Sequence, residues 1–187
     1  MEGKDRDYFL ALYEVAKVVN ASLEPDRVLG EIVRCVAEAM DVKACSLRLL
    51  NRKRDKLLWG AAWGLSDGYI RKGAVVVSES GLDRKSLAGD TIYIRDARTD
   101  ADFQYGAKAA AEGIVSVLVV PLLVEKHAVG VLRVYSDRER KFDDEETRFM
   151  EAVANLSAIA LENARLHKAI QTEYDYLVAD KYRLDDN

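Results

Sequence analysis

The chain has 187 residues, of which 49% are hydrophobic and 32% charged, with a formal net charge of −4. That length suits one domain with a sizeable core and a short extension, and the composition excludes a disordered or low-complexity chain. The slight acidic excess offers no clustered basic face for nucleic acid, although a few local arginines could still hold a small anion. The charged start, Met1 to Asp7, lacks the apolar core of a signal peptide. The longest apolar run, Ile114–Val124, is broken by Ser116 and Pro121 and is too short to span a bilayer. With Cys35 and Cys45 as the two cysteines, the expectation is a reduced, cytoplasmic compartment and no membrane partner.

In chain order, Tyr8, Leu12, Val15 and Val19 share one helical face, predicting a helix over Tyr8–Asn20. A second helix is predicted over Pro25–Met40, where proline suits the first turn and Val28, Leu29, Ile32, Val33, Val36, Ala39 and Met40 form a wide apolar stripe. Ala44–Leu50 and Leu57–Gly64 read as a hairpin around a polar turn, Asn51–Asp55. Residues Ser66–Ser80 carry no clear period, with a short strand expected at Ala74–Val77. A short helix over Leu82–Ala88 stops at Gly89. Thr91–Ile94 is a brief strand, and Phe103–Glu112 a further helix ended by Gly113. Val115–Val124 and Ala128–Tyr135, around Glu125, Lys126 and His127, are the strongest strand pair. Asp143 and Glu146 have capping-box spacing and open a helix expected to reach about Leu177, with a frayed polar tail beyond. Because helices and strands do not alternate strictly, the class is α/β in the α+β sense: a mainly antiparallel sheet with helices packed on it.

The chain resembles the GAF family. The residues that carry the resemblance are Ile94, Arg95 and Asp96 with Asp100 and Phe103; Glu112, Gly113, Ile114 and Ser116; Val120, Pro121 and Leu122; Gly130, Val131 and Leu132; Phe142 and Asp143; and the run Ile159–Leu166. No one piece is specific, but the ordered set covers residues 8–167. The resemblance implies terminal helices on one face of the sheet and a ligand pocket under loops and short helices on the other. Val115 stands where the family usually has Arg or Lys, and Glu125, Lys126 and His127 occupy a hairpin where glycine is common. The residue set of cyclic-nucleotide GAF domains and the cysteine of bilin-binding relatives are missing.

Alternate strand residues share a face. Ala44, Ser46, Arg48 and Leu50 fall on one face, with Cys45, Leu47 and Leu49 on the other. Val129, Val131, Arg133 and Tyr135 oppose Ala128, Gly130, Leu132 and Val134, and Leu57, Trp59, Ala61 and Trp63 are grouped together. The wholly apolar sets suit the helix-covered face. A guanidinium in an apolar strand must be paired, exposed or facing a ligand, and its planar fork suits carboxylate or phosphate. The candidate ligand-binding residues are therefore Ser46, Arg48, Trp59, Trp63, Arg133 and Tyr135, for a small anionic or aromatic molecule. The alternative is that the arginines pair with local carboxylates.

Catalytic and metal motifs are missing from the sequence: there is no nucleophile elbow, Walker motif, dinucleotide fingerprint or Cys-x-x-Cys, and the histidines are His127 and His167 alone. No catalytic residue, metal or cofactor is expected. The GAF-fold methionine sulfoxide reductases use cysteines in the middle loops, where this chain has none. The last helix carries a 4-3 seam of Phe149, Val153, Leu156, Ala160, Asn163, His167, Ile170, Tyr174 and Leu177. With Leu12, Val15 and Val19 of the first helix, Phe149 through Ile170 of this seam make a candidate homodimer interface. The expected layout is a flexible start at 1–7, a GAF-like domain at 8–167, a coiled-coil extension at 168–178 and a flexible tail at 179–187. The functional expectation is a non-catalytic sensory domain that signals to an output protein or domain through dimerising helices. The alternatives are a scaffold dimer with a filled pocket and, from the family, a sulfoxide reductase.

Overall fold

The computed structural model describes residues 7–22 and 24–185, with side chains to Tyr176 and at Val178. The helices are α1 (Tyr8–Ala21), α2 (Pro25–Met40), α3 (Asp67–Ile70), α4 (Gly81–Leu87), α5 (Gly106–Glu112) and α6 (Asp144–Asp185). The strands are β1 (Ala44–Leu50), β2 (Lys56–Trp63), β3 (Val75–Val76), β4 (Ile92–Ile94), β5 (Ser116–Val124) and β6 (His127–Ser136). They form a six-stranded sheet in the order β3-β2-β1-β6-β5-β4, and every pairing is antiparallel. This is the α+β arrangement that the mixed element order implied.

One apolar layer forms where the α2 stripe, Val15 of α1 and Phe149, Met150, Val153, Ala154 and Ala158 of α6 meet Cys45, Leu47, Leu118, Val120, Leu122, Leu132 and Val134 of the sheet. The second lies on the opposite face, under α3, α4 and the segment before α5. The helices start and stop as their local chemistry directs. The Asp143–Glu146 capping box closes reciprocally, with the Glu146 amide donating to Asp143 at 2.8 Å and the Asp143 amide to Glu146 at 3.0 Å. Gly113 ends α5 in the left-handed conformation at φ 73°.

Two irregularities change which face a residue occupies. The β1–β2 register shifts between Leu47, opposite Ala61, and Arg48, opposite Trp59, so that Gly60 is the extra residue. The β5–β6 register shifts between Leu122, opposite Gly130, and Leu123, opposite Ala128. An added Cβ at Gly130 would meet the Arg48 carbonyl at 2.2 Å, so glycine lets β1 and β6 approach there. Beyond the first shift Ala61 packs into the helix-side core, and beyond the second Val129 does too, so neither keeps the face that strict alternation gave it. Three elements also differ from expectation. α3 forms in the stretch without a clear period, because Ser66 caps it by accepting from the Tyr69 amide at 3.2 Å. The short helix α5 begins only at Gly106, and α6 runs 42 residues to Asp185 rather than ending near Leu177. Residues 1–6 of the expected flexible start and residues 186–187 of the expected tail lie outside the described residues.

The hairpin between β5 and β6 pairs Val124 with His127, leaving Glu125 and Lys126 as a two-residue loop at φ 47° and 69°. Both angles are positive, the condition that usually selects Asn-Gly, so side chains stand here in a backbone that disfavours them. Lys126→Gly should therefore raise stability by about 1 kcal/mol, read as a higher urea midpoint. No gain would show that the loop is unstrained.

Candidate functional site

The β1 side chains on the face away from α2 and α6 include Ser46 and Arg48, both fully buried. Ser46 lies opposite Arg133 of β6, so pairing across the two strands brings the two guanidiniums onto one face. Tyr135 joins them through a 2.9 Å hydroxyl–hydroxyl bond to Ser46. The roof comes from connecting segments. Ser80 caps α4, accepting from the Asp83 amide at 3.3 Å while its hydroxyl donates to the Asp83 carboxylate at 2.7 Å. That bond aims the other carboxylate oxygen at Arg133, which donates to it through Nη2. Arg133 and Asp83 are 2% and 1% exposed, so this is a buried ion pair. Burial works against the Arg133 charge, but Asp83 more than offsets it and its pKa is raised.

Among the described residues Arg48 has no such partner. Its Nη1 donates to the carbonyls of Leu57 at 3.2 Å and Gly73 at 3.4 Å. Its guanidinium lies 3.6 Å from the centre of the Trp59 ring, and the Trp59 indole is fixed by donation to the Ile70 carbonyl at 2.7 Å. Among the described residues nothing accepts from Nε or Nη2. These two atoms form one edge of the fork, the edge that takes a carboxylate or phosphate in bidentate fashion. Burial, then repulsion by Arg133, pulls the Arg48 pKa down to about 10.

A third basic side chain, Lys72, is close enough for both arginines and Asp83 to act on its charge. Lys72 follows α3, with its Nζ 3.4 Å from the centre of the Tyr69 ring and 4.8 Å from that of Tyr105. Phe103 stands at 6.0 Å. The ammonium position has no hydrogen-bond partner among the described residues, nor does the Tyr69 hydroxyl. Desolvation, then the charges of Arg133 and Arg48, lowers the Lys72 pKa to about 6, against the opposing pull of Asp83. Asp83 is thus the carboxylate whose charge favours all three basic groups, although among them it bonds Arg133.

The sequence-derived site is partly assembled. Ser46, Arg48, Trp59, Arg133 and Tyr135 converge. Trp63 does not: past the Gly60 bulge it pairs with Cys45, which puts it on the helix-covered face, 46% exposed. Arg133 takes the local-carboxylate alternative, whereas Arg48 does not. Lys72, Tyr69 and Asp83 were missed. A signal existed for Asp83, since it sits in the predicted Leu82–Ala88 helix and a buried arginine requires a nearby acid. Lys72 lies in a segment with no period to read.

The candidate interface divides in two. Val15, Phe149 and Val153 are buried inside the chain's own core, and Leu12, Val19, Leu156 and Ala160 pack partly against it. The α6 helix uses that stripe on its own sheet, so the three buried residues do not face a partner. Asn163, His167 and Ile170 are exposed; Leu177 lies outside the described side chains. Cys45 is fully buried on the helix side and Cys35 is half-buried on α2; both are free thiols. Burial pushes both thiols up, away from the reactive thiolate.

The family model described as GAF domain matches residues 22–162. This chain belongs to the GAF domain family. Among curated proteins, it is 26% identical over 181 residues to the Nif-specific regulatory protein of Herbaspirillum seropedicae, covering 94% of this chain and 32% of that protein. It is 22% identical over 186 residues to the formate hydrogenlyase transcriptional activator of Salmonella typhimurium (strain LT2), covering 97% of this chain and 27% of that one. The GAF chain thus spans about a third of the length of these relatives. The GAF domain of a phosphoenolpyruvate-protein phosphotransferase from Coxiella burnetii superposes with a TM-score of 0.78 at 21% identity, covering 87% of this chain and 97% of that one. The free methionine-R-sulfoxide reductase of Neisseria meningitidis superposes at 0.72 and 18% identity, covering 86% and 91%, a likeness of fold. Among the described residues no helix is long and apolar enough to cross a membrane.

Two outcomes follow from the charges. Asp83→Asn should cost about 3–5 kcal/mol by leaving Arg133 buried and unpaired, and joining it with Arg133→Met should recover most of that in a urea melt. An equal loss in the double variant would show that the pair is not what Asp83 contributes. For Lys72, the unfolded chain holds its proton up to the ordinary lysine range near 10.4, while the folded chain loses it at about 6. Between those values the unfolded state binds more protons, so this group makes stability rise with pH. Lys72→Met should be more stable than wild type at pH 6, by roughly 1 kcal/mol or more, and that advantage should shrink steadily as the pH rises toward about 10.4. A gap constant with pH would mean that the amine titrates normally.

Proposed function

We propose that this GAF domain is a non-catalytic sensory module that binds a small anion in the compartment under α3 and α4 and transmits occupancy through its terminal helices across a homodimer. The observation that carries the reading is Arg48. A fully buried guanidinium with a bidentate edge free of acceptors is costly unless something occupies it, and a carboxylate or phosphate group supplies what Trp59 and two carbonyls do not. Regulators stand among the relatives, named for nif regulation and for formate hydrogenlyase transcription; this supports a regulatory role. Their greater length supports an output domain elsewhere in a longer protein.

For the dimer, the supporting surface is the outward side of the terminal helices. Phe9, Leu10 and Tyr13 of α1 and Ile159, Leu166, Ile170 and Tyr174 of α6 are 40% exposed or more. The α6 positions recur at helical spacing: Ile159 and Leu166 lie outside the seam that faces the sheet, and Ile170 and Tyr174 continue that seam beyond it.

A scaffold with a filled pocket is the second reading, and Trp59 favours it: its ring lies against Arg48 and neutral groups take part of the donor capacity. Native mass spectrometry of the purified protein separates the two, followed by calorimetric titration with small carboxylates and phosphates. We expect a dimer that retains or takes up an anion, with binding weakened about tenfold or more in Arg48→Met. An Ile159→Asp, Ile170→Asp double variant should be monomeric. A dimer that binds no anion in any form would establish the scaffold, and a monomer at high micromolar concentration would end the dimer reading.

A further inference from the structure

Lys72 has a place in the fold that anion binding does not explain. Its amine rests against Tyr69, with Tyr105 and Phe103 at greater distance, an aromatic enclosure that suits a cation or an uncharged group without requiring hydrogen bonds. The charged groups acting on it are Arg133, Arg48 and Lys108, which repel an ammonium, and Asp83, which attracts one. Asp83 is already committed to Arg133 and Ser80. The surroundings thus favour a free amine, with its lone pair available, next to a surplus of positive charge. The turn bearing Lys72 is also tied to Arg48, whose Nη1 donates to the carbonyl of the adjoining Gly73.

We propose that Lys72 is a reversible carbamylation site: its amine takes up carbon dioxide and becomes a carbamate whose two oxygens accept from the free Nε–Nη2 edge of Arg48. The lone pair on Nζ forms the new N–C bond, one C=O π pair moves onto oxygen, and one proton leaves the nitrogen for solvent; nothing is oxidised or reduced. Carbon dioxide fits the surroundings. It is small, uncharged and apolar, so it passes an aromatic lining that an ion crosses at a cost. The product carries the planar anion for which the Arg48 fork is shaped. The uptake converts a neutral side chain into an anion inside a cationic cluster, which gives the domain an input whose charge is created in place.

An exposed lysine is only about 0.1% neutral near pH 7.4, whereas the depressed pKa of Lys72, about 6, leaves it mostly neutral there. The experiment incubates the wild-type chain with 13C-bicarbonate and dissolved CO2 at pH 7.4, traps carbamates as ethyl esters with triethyloxonium, and maps the label by peptide mass spectrometry. Trapped label on Lys72 should exceed the mean over the other lysines by about tenfold or more. It should fall to their level when the same protein is unfolded in urea, and drop at least about threefold in Arg48→Met, since that edge holds the product. Mapping the unaltered protein keeps the test independent of whether a Lys72 variant folds. No label at Lys72, label spread evenly over the lysines, or unchanged occupancy in Arg48→Met would each overturn the proposal. The anion titrations are run in CO2-free buffer, so loss of anion binding and loss of carbamylation are separate results.

Discussion

Arg133 and Asp83 meet inside the domain with almost no solvent contact, and the arrangement of the pocket side follows from that pairing. A buried guanidinium without a counter-charge is among the costliest groups a core can hold. Satisfying it pins α4 to β6, and Ser80 fixes the carboxylate from behind. Once Asp83 is committed, Arg48 on the neighbouring strand must use neutral partners: two carbonyls and the face of Trp59. Burial, reinforced by the same charge surplus, depresses Lys72. One acid among three basic side chains thus leaves the described cluster with a surplus of basic groups.

Much of this could be read from the strands. Alternation along β1 assigned Ser46 and Arg48 to one face and Cys45 and Leu47 to the other, and the structure places them so. The reading failed where the backbone inserts a residue. A bulge reverses the phase of all that follows it, which is why Trp59 reaches Arg48 while Trp63 stands opposite Cys45, and why Val129 joins the helix-side core. Hydrophobic pattern carries no mark of a bulge, although Gly60 in mid-strand was a hint. The roof was harder still. Tyr69, Lys72 and Asp83 belong to short helices and turns whose positions are set by caps such as Ser66 and Ser80, and caps specify where an element starts, not what its side chains meet.

The terminal helix shows a different limit of periodic reading. A 4-3 repeat identifies a buried stripe but not what buries it. Phe149 and Val153 belong to the stripe and are consumed by the chain's own sheet and by α1, where Phe149 stacks on Tyr8 at 4.8 Å. Further along, Ile170 and Tyr174 stand exposed, because the helix has outrun the sheet that covers its first turns. Ile159 and Leu166 lie on the outward side of the same helix. The exposed apolar surface of α6 is therefore partly the seam's own continuation past the sheet and partly a side rotated from the stripe that supports the fold.

That rotation bears on how the compartment and the helices could be coupled. Along β1 and β6, Ser46, Arg48, Arg133 and Tyr135 face the cluster, while Cys45, Leu47, Leu132 and Val134 between them pack against the helices. The two layers are separated by a single sheet, so a shift of either strand moves both. A ligand acts on the helices only if it favours one strand position over another by a difference in free energy. The Arg133–Asp83 pair resists movement of β6, whereas Arg48 is held by longer bonds to carbonyls and by Trp59. Neutralising Arg48 changes the balance of charge beside β1 without breaking the pair on β6, and Leu47 and Leu49 flank Arg48 directly beneath the helix layer. On the proposed reading, the strand with the unsatisfied cation is the one whose position an anion would bias, and the strand with the ion pair is the reference against which it would move.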